Sequence, residues 1–318
     1  MKAAFRSKYG DASVLSIQDI EKPVPKENEV LIRVYASTAN RSDCHILTGK
    51  PWAMRLFTGL FKPRYKVTGT DFVGQIESIG EKVSSFKTGD RVMGFGGVFG
   101  VKSHAEYMVF PEKRGMIKMP VNLDFKQAAA CLEGTFYAAG ILRRLKLEAG
   151  QKAFVKGATG AIGSANLQIL KYYGLYVTAV CGGENRELIR SLGADKIIDY
   201  KTEDFTKDEE RYDYFFDTAG IYSYKKSKHL LTKNGMYFPS NGVKNFFLAI
   251  IHLFKKGKKV KFSAPRDIRG TLSFIKELVE KGKYRPVIDR YYPLDKIAEA
   301  FTYVATGQKI GNVVITID

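Results

Sequence analysis

The sequence predicts a two-part α/β protein, a mainly β segment followed by a parallel α/β sheet, and three observations predict it. The chain has 318 residues, beyond the size at which a single core usually stops growing. Residues 1 to about 120 fall into short β-rich runs punctuated by Gly and Pro. From about 123 to 285, apolar strand patterns alternate with helical ones, as a parallel sheet with crossover helices requires. The change of texture falls near Pro120.

In the first part, Val30–Tyr35 and Gly74–Ile79 alternate, or nearly alternate, apolar and polar residues and read as strands. In the second, Ala153–Lys156 is a short buried-strand candidate, and Tyr176–Val180 begins about one βαβ unit later. Between them Ile162, Ala165, Ile169, Leu170 and Tyr173 recur at helical spacing, so one stripe of a helix can pack on the sheet. Lys196–Asp199, Tyr212–Asp217 and Met236–Phe238 are further strands, and the end of the chain holds a helical stretch, Leu294–Ala305, then a strand, Asn312–Ile317. The apolar run Asn245–Phe254, followed by lysines, reads as core or dimer packing; it is short for an interfacial anchor.

Hydrophobic residues at 45% and charged residues at 26% are ordinary globular composition. The N-terminus lacks a basic-then-apolar signal pattern, and no apolar run approaches the ~20 residues needed to cross a bilayer. The expectation is a cytoplasmic protein with no membrane partner. Cys44, Cys131 and Cys181 are widely separated and odd in number, which suggests neither a disulfide framework nor a cysteine zinc cluster. The 51 Lys+Arg against 33 Asp+Glu give a net charge of +18 and a field that favours anions without specificity. Its densest parts, Lys225–Lys228 and Lys255–Lys261, accompany no nucleic-acid motif and read as solvated lysines, so nucleic acid is not the expected partner.

Gly157-Ala158-Thr159-Gly160-Ala161-Ile162-Gly163 follows a strand candidate and opens a helix candidate, the context a phosphate-binding glycine turn needs. Glycine lets the backbone approach a pyrophosphate, and the first N–H groups of the helix, with its dipole, stabilise negative charge. The alternative is a glycine-rich turn with no ligand; the βαβ spacing on both sides argues for the dinucleotide. For NAD, a carboxylate ending the second strand binds the ribose 2′-hydroxyl, whereas a basic residue accommodates a 2′-phosphate. Here that strand ends Val180-Cys181-Gly182 with no carboxylate, and Arg186 follows, which favours NADPH. Glu184 argues the other way and keeps NADH as the second option.

Together these stretches resemble the medium-chain dehydrogenase/reductase superfamily, in its zinc-free quinone oxidoreductase branch, over essentially the full chain. The glycine turn is similar to that branch's Gly-Ala-x-Gly-x-x-Gly, and Ser191–Tyr200, Gly69–Gly74, Gly89–Val92 and Arg285–Leu294 are similar to its other landmarks. The resemblance implies a Rossmann doubly wound parallel sheet at 123–285, and a GroES-like β-barrel catalytic domain at 1–122 completed by 286–318, with the active site in the cleft. It also implies a homodimer.

One departure decides the chemistry. Zinc-dependent alcohol dehydrogenase relatives place a cysteine at Asn40 and a histidine at Thr70, and neither an amide nor a hydroxyl substitutes well as a zinc ligand. Cys44 and His45, neighbours on a short turn, read as packing and surface groups. No metal is expected, and an unactivated alcohol is hard to oxidise without one. A quinone or enone is already polarised, so reduced nicotinamide can deliver hydride directly while the protein aligns the reactants and excludes water. By resemblance Asn40, Asp43 and Thr135 lie around nicotinamide and acceptor, with Asn40 or Thr135 donating to a carbonyl or carboxamide. On the same basis Gly182, Glu184, Asn185, Arg186 and Tyr200 surround the adenosine end. Ala219-Gly220 and Ser240-Asn241-Gly242 border the nicotinamide half, with Asn312 a weaker carry-over. Trp52, Phe57, Phe61 and Phe95 are candidates for shaping the acceptor pocket. The rival readings are an enone or enoyl double-bond reductase, and a noncatalytic cofactor-binding protein whose basic surface contacts RNA or another protein.

Overall fold

A computed structural model describes residues 1–97, 100–220, 224–240, 243–253, 256–262 and 267–317. In chain order the strands are β1 (Lys2–Phe5), β2 (Ser16–Asp19), β3 (Glu29–Ala39), β4 (Asp71–Ile79), β5 (Arg91–Phe95), β6 (Tyr107–Pro111), β7 (Met116–Lys118), β8 (Lys152–Lys156), β9 (Tyr176–Cys181), β10 (Lys196–Asp199), β11 (Tyr212–Asp217), β12 (Leu231–Pro239), β13 (Lys259–Val260), β14 (Ile288–Pro293) and β15 (Asn312–Thr316). The helices are α1 (Arg41–Thr48), α2 (Arg55–Thr58), α3 (Phe125–Ala129), α4 (Glu133–Leu142), α5 (Ala161–Tyr172), α6 (Arg186–Ser191), α7 (Tyr224–Ser227), α8 (Val243–Leu253), α9 (Ile268–Glu280) and α10 (Ile297–Thr306). They form two compact units, Met1–Phe136 with Asp267–Asp318, and Tyr137–Arg266.

The first unit is built on β3, whose 11 residues pair antiparallel with β4, β6 and β15. The full order is β14-β15-β3-β4-β5-β7, with β6 also on β3. The alternation read at Val30–Tyr35 sends Val30, Ile32 and Val34 into a core with Phe72, Ile76, Phe110 and Phe301. The strand expected near the C-terminus is β15, and the helical stretch before it is a single 3-10 turn at Leu294–Lys296 followed by α10.

The second unit is a six-stranded sheet in the order β10-β9-β8-β11-β12-β13, every pair parallel. Counted within the unit this is 3-2-1-4-5-6, the doubly wound Rossmann order. Strands of a parallel sheet are covered by their crossover helices, which is why these read as apolar runs rather than alternations. Aromatic rings knit neighbouring strands: Phe154 stacks on Phe215 at 4.5 Å and Phe215 on Tyr237 at 5.3 Å, each pair directly opposite in register. All the strand candidates of this part are strands, although Met236–Phe238 is only the second half of β12. The apolar run is α8: Leu248 and Ala249 pack on the core, while Phe247, Ile250 and Ile251 are exposed. Phe254 at its end lies outside the described residues.

Candidate active site

Strand order reverses between β8 and β11, and in open α/β sheets ligands bind outside the carboxyl ends of strands at such a point. The glycine turn leaves β8 there. Gly157 has φ +77°, and a Cβ on it would lie 2.9 Å from Thr218 Oγ1 and 3.0 Å from Ala219 N. Gly163 sits one helical turn into α5, where a Cβ would lie 2.1 Å from Gly157 O. Glycine at 163 therefore lets α5 close onto the turn. Gly160, the N-cap, has no such neighbour: its Cβ would meet only Gly157 O, at 3.6 Å. No side chain caps α5, so its first N–H groups are presented as an anion site requires. Thr159, Gly160 and Ile162 are partly exposed, while Ala158 and Ala161 are buried behind them. This cradle fits a dinucleotide pyrophosphate.

Two charged residues at this edge escaped sequence reasoning. Lys156 ends β8 and Asp217 ends β11, opposite in register, with Nζ 3.6 Å from Oδ1 and Asp217 fully buried. The Tyr237 hydroxyl donates to Asp217 Oδ2 at 2.8 Å and Gly220 N–H to Oδ1 at 3.2 Å. Thr218 Oγ1 donates to the carbonyls of Lys156 and Gly157 at 2.7 and 3.0 Å. Asp217 thus fixes the turn carrying Ala219 and Gly220 beside the glycine turn. The available signal was a charge closing each strand after an apolar run, Lys156 after Ala153–Val155 and Asp217 after Tyr214–Phe216. Ser240 follows β12 at the same edge, its N–H on Asp217 O at 3.0 Å; Asn241 and Gly242 lie outside the described residues.

Gly182, Glu184, Asn185 and Arg186 gather where β9 ends, and Asn185 N–H donates to Gly182 O at 2.9 Å. Lys201 Nζ donates to Glu184 at 2.9 Å, holding the Glu184 carboxyl below its ordinary range, and Arg186 pairs with Glu203 at 2.9 Å. Both pairs are solvent-exposed, so water and salt screen them and they rearrange readily. Lys201 is a second basic group near Arg186 that sequence reading passed over. Tyr200 is exposed, its N–H on Cys181 O at 3.2 Å.

In the first unit, Asn40 caps α1. Its Oδ1 accepts from Asp43 N–H at 2.8 Å and Asp43 Oδ2 accepts from Asn40 N–H at 3.3 Å, a reciprocal capping box. Asn40 Nδ2 donates to Thr38 Oγ1 at 3.1 Å and to Thr70 Oγ1 at 2.9 Å. The hydroxyls pass the pattern on: Thr38 donates to Asp71, and Thr70 to Asp43. Asn40, Thr70, Asp43 and Asp71 are all buried. Burial pushes the Asp71 carboxyl up to about 7, against the pull of its bonds from Thr38 and Ser37. Burial, then the nearby Asp71 and Glu133 charges, raise Asp43 well above the carboxylate range. Glu133, also raised by burial, accepts from Ser42 at 2.7 Å and faces Lys309. His104 Nε2 donates to Thr38 O at 3.0 Å and Nδ1 accepts from Thr68 at 2.8 Å; burial lowers its pKa to about 4.

The amide and hydroxyl at 40 and 70 do not fit zinc ligation, because their polar atoms serve this network and neither is a zinc ligand type. Both amide protons of Asn40 are committed, so in this structure it holds neighbours in place rather than presenting a donor. Thr135 is fully buried, Oγ1 2.6 Å from the buried Tyr284 hydroxyl. Two hydroxyls sharing one hydrogen bond leave one proton over, and Tyr284 was not singled out from the sequence. Asn312 donates from Nδ2 to Val287 O at 3.0 Å. Of the suggested pocket aromatics, Phe95 is buried against Phe136, whereas Trp52, Phe57 and Phe61 are exposed.

Comparison with known proteins agrees with this geometry. A profile described as alcohol dehydrogenase GroES-like domain matches residues 26–121, and one described as zinc-binding dehydrogenase matches residues 192–315. The chain is 31% identical over 326 residues to the chloroplastic NADPH-dependent alkenal/one oxidoreductase of Arabidopsis thaliana, covering 99% of this chain and 79% of that one. It is 29% identical to the quinone oxidoreductase of Sus scrofa, covering 98% and 97%. The solved structure of the quinone oxidoreductase from Coxiella burnetii superposes with a TM-score of 0.90 over 100% and 99% of the two chains, at 24% identity, a likeness of fold.

Proposed function

The chain belongs to the zinc-free quinone oxidoreductase branch of the medium-chain dehydrogenase/reductase superfamily, and on that footing we propose that it reduces quinones or related conjugated carbonyl compounds with NADPH. The observation that carries the proposal is the glycine turn at the switch point of a 3-2-1-4-5-6 parallel sheet, open at Gly160 and closed at Gly163. When bound, the reduced nicotinamide supplies hydride. Hydride and one proton convert a quinone to its hydroquinone, or an enone to the saturated ketone.

The residues divide the remaining work. The turn 157–163 holds the pyrophosphate on backbone N–H groups. Arg186, with Lys201, receives the 2′-phosphate by leaving exposed pairs, and Gly182, Glu184, Asn185 and Tyr200 border the adenosine. Asp217 positions Ala219 and Gly220, beside Ser240, for the nicotinamide half. Thr135 donates the proton left over from its pair with Tyr284 to a carbonyl or carboxamide oxygen. Asn40 and Asp43 are positioning residues that fix α1, and Asn312 acts through the Val287 backbone. The catalytic domain is taken as 1–122 with 286–318, and the nucleotide-binding domain as 123–285.

The proposal takes the enzyme to be a cytoplasmic homodimer, and the exposed Phe247, Ile250 and Ile251 of α8 support a subunit contact. No helix among the described residues is long and apolar enough to cross a membrane. Product analysis with NADPH and, separately, a small quinone and a simple enone tests the reaction. Hydroquinone equal to the NADPH consumed supports quinone reduction. Saturated ketone alone moves the assignment to double-bond reduction, and no turnover alongside salt-sensitive RNA binding moves it to the noncatalytic reading.

A further inference from the structure

The segment joining α1 to β4 carries a dense run of exposed apolar side chains. Trp52, Leu56, Phe57, Leu60 and Phe61 stand within ten residues of each other and are 62, 63, 52, 43 and 89% exposed. Apolar side chains so concentrated at the surface of a globular protein mark a contact, whereas scattered ones do not. The segment is also held in shape from beneath. The Tyr9 hydroxyl bonds Thr58 Oγ1 at 2.8 Å and Gly59 O at 2.6 Å, the Arg55 guanidinium lies 4.7 Å from the Tyr9 ring centre, and Arg64 N–H closes the turn on Thr58 O at 2.7 Å. Thr58 is the buried face of this turn, and the apolar side chains are presented on the other.

The charge along this stretch of sequence has one sign. From residue 44 to residue 70 there is no Asp or Glu, while Lys50, Arg55, Lys62, Arg64 and Lys66 all fall within that stretch. Lys50, Lys62, Arg64 and Lys66 are exposed. Lys66 lies 5.4 Å from the Phe5 ring centre, and Lys102 5.4 Å from that of Tyr65, extending the basic rim. A tryptophan and phenylalanines backed by lysines and arginines match the two layers of an anionic bilayer surface: rings enter the acyl boundary and cations meet the headgroups. A neutral or basic protein partner would gain nothing from that rim.

We propose that residues 51–66 form a docking surface for anionic phospholipid bilayers, through which the enzyme sits peripherally on a membrane. This reading departs from the expectation of no membrane partner, which rested on the absence of a spanning run and on the short run 245–254. The proposal does not depend on which acceptor is reduced. A surface of this kind places the enzyme where apolar quinones and lipid-derived enones dissolve.

Trp52 is the sole tryptophan of the chain, so its emission reports the contact directly. The full-length protein is titrated with vesicles of mixed phosphatidylglycerol and phosphatidylcholine, and with phosphatidylcholine alone, with co-sedimentation in parallel. Expected are a saturable blue shift and co-sedimentation with the anionic vesicles only, weakening as salt rises from about 0.05 M to about 0.5 M. Leu56→Ser with Leu60→Ser lowers partitioning about tenfold or more. Lys62→Glu with Arg64→Glu does the same through charge, and both pairs are exposed side chains whose circular dichroism checks the fold. No shift and no co-sedimentation with anionic vesicles at low salt overturns the proposal. So does a blue shift without vesicles that tracks self-association and is abolished by the leucine substitutions, which makes the face a contact between copies.

Discussion

Two alanine substitutions in one turn should fail in opposite ways. At Gly160 the backbone has φ −71° and ψ 168°, a conformation alanine adopts, and the new methyl would meet nothing nearer than 3.6 Å. Alanine loses up to about 1 kcal/mol as a poorer N-cap and regains about 0.4–1 kcal/mol by restricting the unfolded chain. Stability stays near that of the wild type. The methyl, however, fills the space through which a pyrophosphate reaches the α5 N–H groups, so the NADPH Kd rises at least about tenfold, or about 1.4 kcal/mol. At Gly163 the methyl would lie 2.1 Å from Gly157 O and 2.8 Å from Ala158 Cα. These are backbone atoms that no rotamer change can move, so α5 must shift, at about 1–3 kcal/mol. That lowers Tm by roughly 2–4 °C per kcal/mol. Thermal unfolding and an NADPH fluorescence titration read both. Gly160→Ala binding NADPH within about twofold of wild type would refute the turn as the cofactor cradle, and Gly163→Ala with unchanged Tm would refute the close approach of α5.

Other perturbations follow from the same structure. Thr135→Val leaves the buried Tyr284 hydroxyl without its bond at about 1–3 kcal/mol. Adding Tyr284→Phe restores much of the stability and none of the turnover, a coupling that a double-mutant cycle measures. Arg186→Ala and Lys201→Ala each weaken NADPH binding and leave NADH binding unchanged, and equal NADPH binding by both variants and wild type would remove these residues as the phosphate anchor. Asp71 titrates in the folded state near about 7 rather than 3.8. Folding therefore favours its protonated form, its contribution is full below pH 3.8 and is lost as pH rises through about 7. Denaturant unfolding from acid to neutral pH should show that loss in wild type and a flatter profile in Asp71→Asn; identical profiles would remove Asp71 as the source.

Much of the nucleotide-binding unit was legible because parallel strands and their crossover helices leave local patterns: Phe154, Val155, Ala165, Ile169 and Leu170 are dictated by burial, and the glycines by backbone geometry. What escaped was set by pairing across the sheet. Lys156 and Asp217 are 61 residues apart in sequence, yet register brings them opposite each other. Tyr284 meets Thr135 in the same nonlocal way, 149 residues away. Asn40 shows a different limit, since its identity excluded a zinc ligand from sequence alone. That both its amide protons are consumed by Thr38 and Thr70 depends on where β3 and β4 place those hydroxyls. Exposure was equally unreadable: Trp52 and Phe61 read as candidates for shaping the acceptor pocket and stand at the surface.

The central claim is that NADPH reduces a conjugated carbonyl here without a metal. It is tested by following NADPH absorbance with a small quinone after dialysis against chelator, with and without added zinc. Rapid oxidation, equal in the two conditions, is the predicted result. No oxidation of NADPH or NADH despite measurable cofactor binding, or turnover that appears only with zinc, would contradict it.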